Sequence, residues 1–207
     1  MSTIEGHVVW AGLNERWFTA VNTFSRHTTW LHTPARLYAE YGVVLFAAIL
    51  LASWWLARRS GDPRRVAVAV WAPFATLVAV GLNQVISNAV TEPRPFTVLT
   101  HALVLVPRST DYSFPSDHAV MAGAIAVGVW MADRRLGLIT CVLAIAMAAT
   151  RVYVGVHFPL DVIVGLAVGA VIVALSTVVV RSLLTRVITG LSHTPLKVFV
   201  APRRAVA

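Results

Sequence analysis

Three short polar stretches of the chain carry the residue types that bind and transfer a phosphoryl group. They are residues 92–96, 113–118 and 151–161. A guanidinium presents paired donors that match phosphate oxygens, and an imidazole can attack phosphorus or donate a proton. Each stretch lies where a long apolar run meets water, and charges are costly in that setting unless they have a function. The sequence therefore predicts one anion site at a membrane surface.

Two histidines and one aspartate are the predicted catalytic residues. His157 can attack phosphorus as a neutral imidazole and become a phosphohistidine. His118 can donate a proton to the leaving oxygen. Asp161 lies four residues after His157, at the start of a helix opened by Pro159. From there its carboxylate can accept a hydrogen bond from the other ring nitrogen of His157 and fix the tautomer.

The predicted substrate-binding residues surround this catalytic group. Arg94 and Arg151 can hold phosphate oxygens, and Ser116 and Asp117 begin a helix whose N–H groups would seat an anion. Glu92, in the first stretch, belongs to the same predicted set. No metal or other cofactor is required, because the arginines supply the positive charge and the chain has no clear carboxylate cluster for magnesium.

Each of these residues taken singly has an ordinary structural interpretation. Arg151 could be an interface anchor, and His157 an interfacial polar residue. His118 or Ser116 could cap a helix, and Asp161 could be a favourable charge near a helix N-terminus. The catalytic interpretation depends on all three stretches meeting on one face.

The composition indicates a membrane protein. Apolar residues make up 57% of the 207 residues and charged residues only 13%, whereas soluble domains have about 25% charged residues. The net charge is +8, yet the basic residues lie in clusters between apolar runs rather than in a stripe that would bind nucleic acid. A single cysteine excludes a disulfide within the chain, and the first 30 residues show no cleavable signal peptide.

The apolar runs predict an all-α, polytopic membrane helical bundle of about five transmembrane helices. The runs are residues 41–57, 66–90, 119–132, 136–150 and 162–180. Residues 1–39 are predicted to form an amphipathic interfacial helix, with a sixth membrane helix as the alternative. Residues 40–185 would be the membrane domain and residues 186–207 a basic cytoplasmic tail. Gly165 and Gly169 predict close helix packing in the last run.

The orientation follows from the basic clusters that join or follow the runs. These clusters favour the cytoplasmic side, and counting crossings from them puts all three polar stretches together on the extracytoplasmic face of the plasma membrane. The clusters are Arg58, Arg59, Arg64 and Arg65, then Arg134 and Arg135, then Arg181, Arg186, Lys197, Arg203 and Arg204.

The order and spacing of these motifs resemble the three-part signature of the type 2 phosphatidic acid phosphatase (PAP2) superfamily. The resemblance lies in Arg94-Pro95, in Pro115-Ser116-Asp117-His118, and in Arg151 followed by His157 and Asp161, and it covers about residues 40–182. It implies a helical bundle with metal-independent phosphatase chemistry. It also implies His157 as nucleophile, His118 as acid, Asp161 as partner of His157, and Arg94, Ser116 and Arg151 on the phosphate.

Two positions depart from the usual signature. Ser87 stands where the superfamily usually has a lysine, and Asp117 stands where it usually has a glycine. A carboxylate beside a phosphate would repel it unless turned away or protonated, and Asp117 could instead orient His118 or an arginine. Residues 92–96 and 113–118 resemble the bacitracin-resistance branch, the undecaprenyl-diphosphate phosphatases, which is similar in lacking the lysine.

The branch resemblance implies hydrolysis of a polyprenyl diphosphate, with an undecaprenyl or decaprenyl tail, to the monophosphate and phosphate in the lipid bilayer. The alternative within the enzyme class is another lipid phosphate: phosphatidic acid, phosphatidylglycerol phosphate or a prenyl-phospho-sugar phosphate. A non-enzymatic membrane scaffold is a further alternative, but it gives no reason for the histidines and Asp161 to converge. The apolar runs disfavour a soluble haloperoxidase, which shares the motifs.

Overall fold

The computed structural model describes residues 2–200, with side chains from residue 12 onward, and this part of the chain is helical without strands. The eight α-helices, with a short 3-10 helix at Thr29–Leu31, are α1 (Ser2–His27), α2 (His32–Ser60), α3 (Pro63–Val90), α4 (Pro95–Val98), α5 (Asp117–Ala132), α6 (Arg134–Tyr153), α7 (Pro159–Leu191) and α8 (Lys197–Val200).

All five apolar runs lie within helices, so the predicted all-α bundle is confirmed. Four segments are long and apolar enough to cross a membrane, by length and composition: Thr29–Ser60, Pro63–Val98, Arg134–Tyr153 and Pro159–Leu191. They contain α2, α3, α6 and α7, and α5 is a shorter apolar helix of 16 residues. The helix α2 begins at His32, so the last residues of the region predicted as interfacial belong to the first long helix. Residues 201–207, which include Arg203 and Arg204 of the predicted tail, lie outside the described residues.

The helix α5 is the centre of the bundle, packed against α2, α3, α6 and α7. Its contact with α7 is close because glycines stand on both sides. A Cβ on Gly169 would lie 2.0 Å from the Val120 carbonyl oxygen, and one on Gly123 would lie 2.3 Å from that of Leu166. A Cβ on Gly165 would lie 2.9 Å from the Ser116 oxygen. The predicted close packing at Gly165 and Gly169 is confirmed, and it brings the starts of α5 and α7 together.

The two ends of the bundle differ in what they carry. We call the end formed by residues 91–118 and 151–161 the site end, and the end formed by residues 58–65, 131–136 and 181–186 the basic end. At the basic end α2 turns into α3 and α5 into α6, each within a few residues. At the site end the connection between α3 and α5 is long, and it contains all of residues 92–116.

The helix α1 lies against the loops of the site end. The side chain of Asn22 donates to the Leu103 carbonyl (2.8 Å) and accepts from the Leu103 amide (2.9 Å). Asn14 accepts from the Leu160 amide at the start of α7 (3.1 Å), and Phe18 stacks edge-on against Phe158. The amphipathic helix expected in this region therefore uses part of its polar face to hold two loops of the site end.

Candidate active site

The three polar stretches meet at one cavity of about 280 Å³ at the site end. Its lining brings together Arg94, Asp117, His118, Arg151 and His157 from the sequence-predicted set, along with Gln84, Ser87, Asn88, Ser109, Asp111, Tyr112 and Pro115.

The backbone turn between α6 and α7 sets the separation of Arg151 and His157. Gly155 has φ +84°, which an L side chain rarely adopts. A Cβ there would also lie 2.0 Å from the Leu103 carbonyl oxygen. A glycine at this position therefore permits both the tight turn and the close approach of the long site-end loop, which is tied down by the hydrogen bond from Leu105 N–H to the Val154 carbonyl.

The hydrogen bonds of His157 define its tautomer. Its Nδ1 lies 2.8 Å from the Ser113 carbonyl oxygen, which can only accept, so Nδ1 carries the proton. Its Nε2 lies 3.2 Å from Nη1 of Arg94, which can only donate, so Nε2 holds the lone pair. The ring is 2% exposed. Burial, and then the charges of Arg151 and Arg94, hold the pKa of His157 well below its usual value, so the imidazole is neutral.

Asp161 lies behind His157 and is fully buried. Its Oδ2 accepts from Ser113 Oγ (2.5 Å) and from the Phe158 amide (2.8 Å), and it is 3.5 Å from His157 Nδ1. Its other carboxylate oxygen has no hydrogen-bond partner within the described residues. The predicted contact between Asp161 and His157 is therefore longer than the contact to the Ser113 carbonyl. Ser113 bonds to both side chains through different atoms, so it joins them into one unit.

Arg94 is held by the protein through most of its donors. Its Nη1 donates to the Val156 carbonyl as well as to His157, and its Nε donates to the Asp111 carbonyl (3.1 Å). Its Nη2 forms an ion pair with the Asp111 carboxylate at 2.9 Å. Partial burial raises the pKa of Asp111, but the hydrogen bond from Ser109 and the Arg94 charge lower it overall, so this carboxyl is ionised.

Arg151 and His118 have the opposite character. Both line the cavity, and neither side chain forms a hydrogen bond with any residue that the structure describes. The Arg151 Nε is buried without a partner, and so is the hydroxyl of Ser116 at the N-cap of α5. Buried polar groups are usually paired in native proteins, and an unpaired cluster beside a helix N-terminus is suited to an anion.

The carboxylate of Asp117 is turned toward α3. Its Oδ1 accepts from Asn83 Nδ2 (2.7 Å) and from Gln84 Nε2 (2.8 Å), and its Oδ2 accepts from Gln84 Nε2 (2.9 Å). The sequence allows this carboxylate to be turned away from an anion, to be protonated, or to orient His118 or an arginine. These contacts agree with a carboxylate turned away from the anion. Polar residues within an apolar membrane run predict hydrogen bonds between helices, and the contacts of Asn83 and Gln84 confirm this prediction, although the sequence does not show that Asp117 is the partner.

Glu92 lies outside the cavity that the other residues line. It borders a separate cavity of about 160 Å³ with Asn14, Glu15 and Phe158, between α1 and the start of α7. Its backbone carbonyl accepts from the Ser113 amide at 2.8 Å. Its visible contribution is therefore to tie the first polar stretch to the second.

Two residues of the site had no role assigned from the sequence. Asp111 precedes the second polar stretch and Ser113 is its first residue, and their roles depend on Arg94 and on Asp161, which are 17 and 48 residues away. No group of three or more His, Cys, Asp and Glu side chains within the described part of the chain is arranged to hold a metal ion.

The PAP2 superfamily model matches residues 68–185, which are more than half of the chain and include all three polar stretches. The chain belongs to this superfamily. It is a hydrolase of lipid phosphates with an all-helical membrane fold.

Among named relatives, undecaprenyl-diphosphatase BcrC of Bacillus subtilis is 31% identical over 160 residues, covering 77% of this chain and 80% of that protein. Decaprenylphosphoryl-5-phosphoribose phosphatase of Mycobacterium tuberculosis is 35% identical over 116 residues, covering 55% and 62%. Among solved structures, LpxE of Aquifex aeolicus has a TM-score of 0.56 at 26% identity, covering 79% of this chain and 94% of that one.

Proposed function

We propose that the protein hydrolyses a polyprenyl diphosphate to the monophosphate and inorganic phosphate, without a metal, through a phosphohistidine on His157. The proposal rests on one observation: several polar side chains in and beside the cavity have no hydrogen-bond partner among the described residues. Arg151, His118 and Ser116 have side-chain polar atoms with no partner in the described chain, and the neutral imidazole of His157 lines the same cavity as Arg151 and His118. Similarity to BcrC supports a prenyl diphosphate as the substrate.

The first half-reaction follows from these positions. The terminal phosphate binds between Arg151 and the start of α5, and its oxygens replace the missing partners of Arg151 and Ser116. The His157 Nε2 lone pair gives up its hydrogen bond from Arg94 and forms a bond to the terminal phosphorus, while the bond from that phosphorus to the bridging oxygen breaks. The electron pair leaves on the prenyl monophosphate, and His118 can deliver a proton to it. A phosphate leaving group needs less protonation than an alkoxide would.

The second half-reaction returns the enzyme to its starting state. Water attacks the phosphohistidine and gives a proton back to His118, the nitrogen–phosphorus bond breaks, and inorganic phosphate leaves with Nε2 again neutral. While the phosphoryl group is on Nε2, the ring is cationic. The Ser113 carbonyl and, at longer range, the Asp161 carboxylate lie beside Nδ1–H and stabilise that charge.

A substrate panel with trapping tests the proposal. Purified protein in detergent should release phosphate faster from an undecaprenyl or decaprenyl diphosphate than from phosphatidic acid or phosphatidylglycerol phosphate, and a chelator should not inhibit. A substrate labelled in its terminal phosphate should leave acid-labile, alkali-stable label on the wild-type protein and none on His157→Ala. Faster hydrolysis of the acyl lipids, or label retained by His157→Ala, would contradict the proposal.

A second candidate substrate rests on a specific relative. The similarity to a decaprenylphosphoryl-5-phosphoribose phosphatase favours a prenyl-phospho-sugar phosphate, whose leaving group is an alkoxide. The two substrates differ in how much they need an acid. Loss of His118 should therefore slow the sugar phosphate far more than the diphosphate, and including both substrates in the panel distinguishes them.

We further infer that the site end faces the extracytoplasmic side of the plasma membrane. Arg64 and Arg65 at the start of α3 share a groove with Arg181 and Arg186 on α7, so two of the basic clusters meet at the basic end. Positively charged ends of membrane helices favour the cytoplasm. In a Cys141→Ser background, a cysteine at position 109 should react with an impermeant thiol reagent added to intact cells, and one at position 64 should not.

A further inference from the structure

Asp117 presents an electrostatic problem that the cavity must solve. It is the first residue of α5, it lines the cavity next to His118, and its charge has the same sign as a phosphate. At a distance of a few ångströms, two like charges in a partly buried site repel strongly, and a helix N-terminus would otherwise favour the incoming anion. The carboxylate must therefore be held away from the phosphate for binding to occur.

Two amides on α3 hold it. Gln84 gives both hydrogens of its Nε2 to the carboxylate, one to each oxygen. Asn83 gives one hydrogen of its Nδ2 to Asp117 Oδ1 and the other to the Pro115 carbonyl at 3.0 Å. The carboxylate thus accepts three hydrogen bonds, all from neutral donors on the α3 side.

The same contacts fix the first turn of α5. Asn83 is fully buried, and its bond to Pro115 holds the residue just before the N-cap. The Ser116 amide donates to the Asp161 carbonyl (3.1 Å), which ties the N-cap to α7. His118 follows directly, and its side chain forms no hydrogen bond within the described residues, so its position depends on this turn.

We propose that Asn83, Gln84 and Asp117 form a positioning unit, in which the two amides bind the carboxylate on α3, keep its charge out of the phosphate site and thereby set His118 against the substrate. This inference rests on the proposed function, because it requires a phosphate in the cavity. It also gives the two amides a reason to be present. A glycine at position 117 would carry no charge, whereas the aspartate carries a charge that Asn83 and Gln84 must bind.

An isosteric exchange tests the unit. Gln84→Glu replaces two of the three hydrogen bonds to Asp117 by a second carboxylate, which repels Asp117 toward the cavity against the one hydrogen bond that remains, from Asn83. We expect the KM for a polyprenyl diphosphate, and the inhibition constant of inorganic phosphate, to rise roughly 10- to 100-fold. In the double variant Gln84→Glu with Asp117→Asn, the introduced asparagine donates to the introduced glutamate, and the start of α5 loses its negative charge. Both constants should return most of the way to wild type, which a merely structural contact would not produce.

Controls separate this result from misfolding. Gln84→Ala removes the donors without adding a charge, and should give a smaller rise in KM that Asp117→Gly reverses. Ser176→Ala removes another hydrogen bond between α3 and a neighbouring helix, the one from Trp71, and should leave both constants unchanged. Thermal unfolding in detergent should be similar for all variants.

Two outcomes would overturn the inference. One is unchanged KM and phosphate inhibition in Gln84→Glu. The other is equal loss of activity in Asp117→Asn whether position 84 is Gln or Glu, because Asp117 would then act on the substrate itself. The increase in unfolding temperature that inorganic phosphate produces measures phosphate binding in each variant without turnover. This measurement tests the positioning unit, whereas the proposed function is tested separately and fails if the wild-type protein releases no phosphate from the lipid.

Discussion

The two ends of the bundle use the same residue types for different purposes. At the basic end, Asp133 caps α6 by accepting from the Arg135 and Leu136 amides, and Arg65 pairs with Asp133 while donating to the Ala132 carbonyl. At the site end the corresponding groups are left open: the N-cap Ser116 forms no capping bond, and Arg151 has no hydrogen-bond partner in the described chain.

This difference identifies the end at which a ligand binds. A capped helix and a paired arginine lower the free energy of the folded chain, whereas an uncapped helix N-terminus and an unpaired buried guanidinium raise it. Proteins retain such unfavourable groups where function requires them. Variants at matched positions of the two ends should therefore separate activity from stability.

The largest expected contrast is between the two arginines. Arg151→Met should reduce kcat/KM about 1,000-fold, because it removes the cation that meets the phosphate in the transition state. Its thermal unfolding temperature should stay the same or rise, because an unpaired buried charge is lost. Arg65→Met should leave kcat/KM close to wild type and lower the unfolding free energy by roughly 1 kcal/mol. Steady-state kinetics and thermal unfolding in detergent measure both; a large activity loss in Arg65→Met would remove the contrast.

A smaller contrast is expected at the two helix N-caps. Ser116→Ala should lower kcat/KM roughly tenfold, because one hydrogen bond to the phosphate is lost, without reducing stability. Asp133→Ala should lower the unfolding free energy by about 1 kcal/mol, because two capping bonds are lost, without reducing kcat/KM. If Ser116→Ala proved as destabilising as Asp133→Ala, Ser116 would have to be regarded as a structural cap.

The pH dependence of stability should also differ between the ends. The pKa of His157 is lowered in the folded protein, so the unfolded chain binds its proton first. Stability from this residue is complete above about pH 6.5 and falls by up to about 1.4 kcal/mol per pH unit below it. The pKa of Asp133 is lowered mainly by the hydrogen bond from the Leu136 amide, so its contribution is lost only below about pH 4.

Unfolding temperatures measured from pH 8 to pH 3 check this order. The decline in unfolding temperature between pH 6.5 and pH 5 should be smaller in His157→Asn than in wild type. Asp133→Asn should alter only the most acidic part of the profile. A decline between pH 6.5 and pH 5 that persists unchanged in His157→Asn would mean that this imidazole titrates normally in the folded protein.

The fold was largely predictable because bilayer thickness and hydropathy constrain helix length, and all five apolar runs lie in helices. The location of Arg94, His118, Arg151 and His157 around one cavity followed from motif spacing plus the counting of crossings. What depended on tertiary structure was the partner of each group. The sequence does not show that Ser113 joins His157 to Asp161, or that Asn83 and Gln84 face Asp117, because these partners lie 33 or more residues apart.

The N-terminal region illustrates the same limit. Its apolar residues at helical spacing predicted a helix at the membrane surface, and Trp17 and Phe24 are indeed exposed on α1. Asn14 and Asn22 lie on the same helix and are buried, because the loops of the site end supply backbone partners to them, and no local pattern encodes those partners.

The smallest expected effect concerns the two ion pairs, Arg94 with Asp111 and Arg65 with Asp133. The Asp111 carboxylate occupies Nη2 of Arg94, a donor that a phosphate could use, and its side chain is 56% exposed. We expect Asp111→Asn to strengthen inhibition by inorganic phosphate about three- to tenfold, since a neutral amide competes less well for the guanidinium. The effect is limited because the Asp111 backbone carbonyl still accepts from Nε of Arg94. Asp133→Asn should leave phosphate inhibition unchanged, since no ligand competes at the basic end. Weaker inhibition in Asp111→Asn would show instead that the carboxylate orients Arg94 for the phosphate, which would make the two ion pairs alike in function.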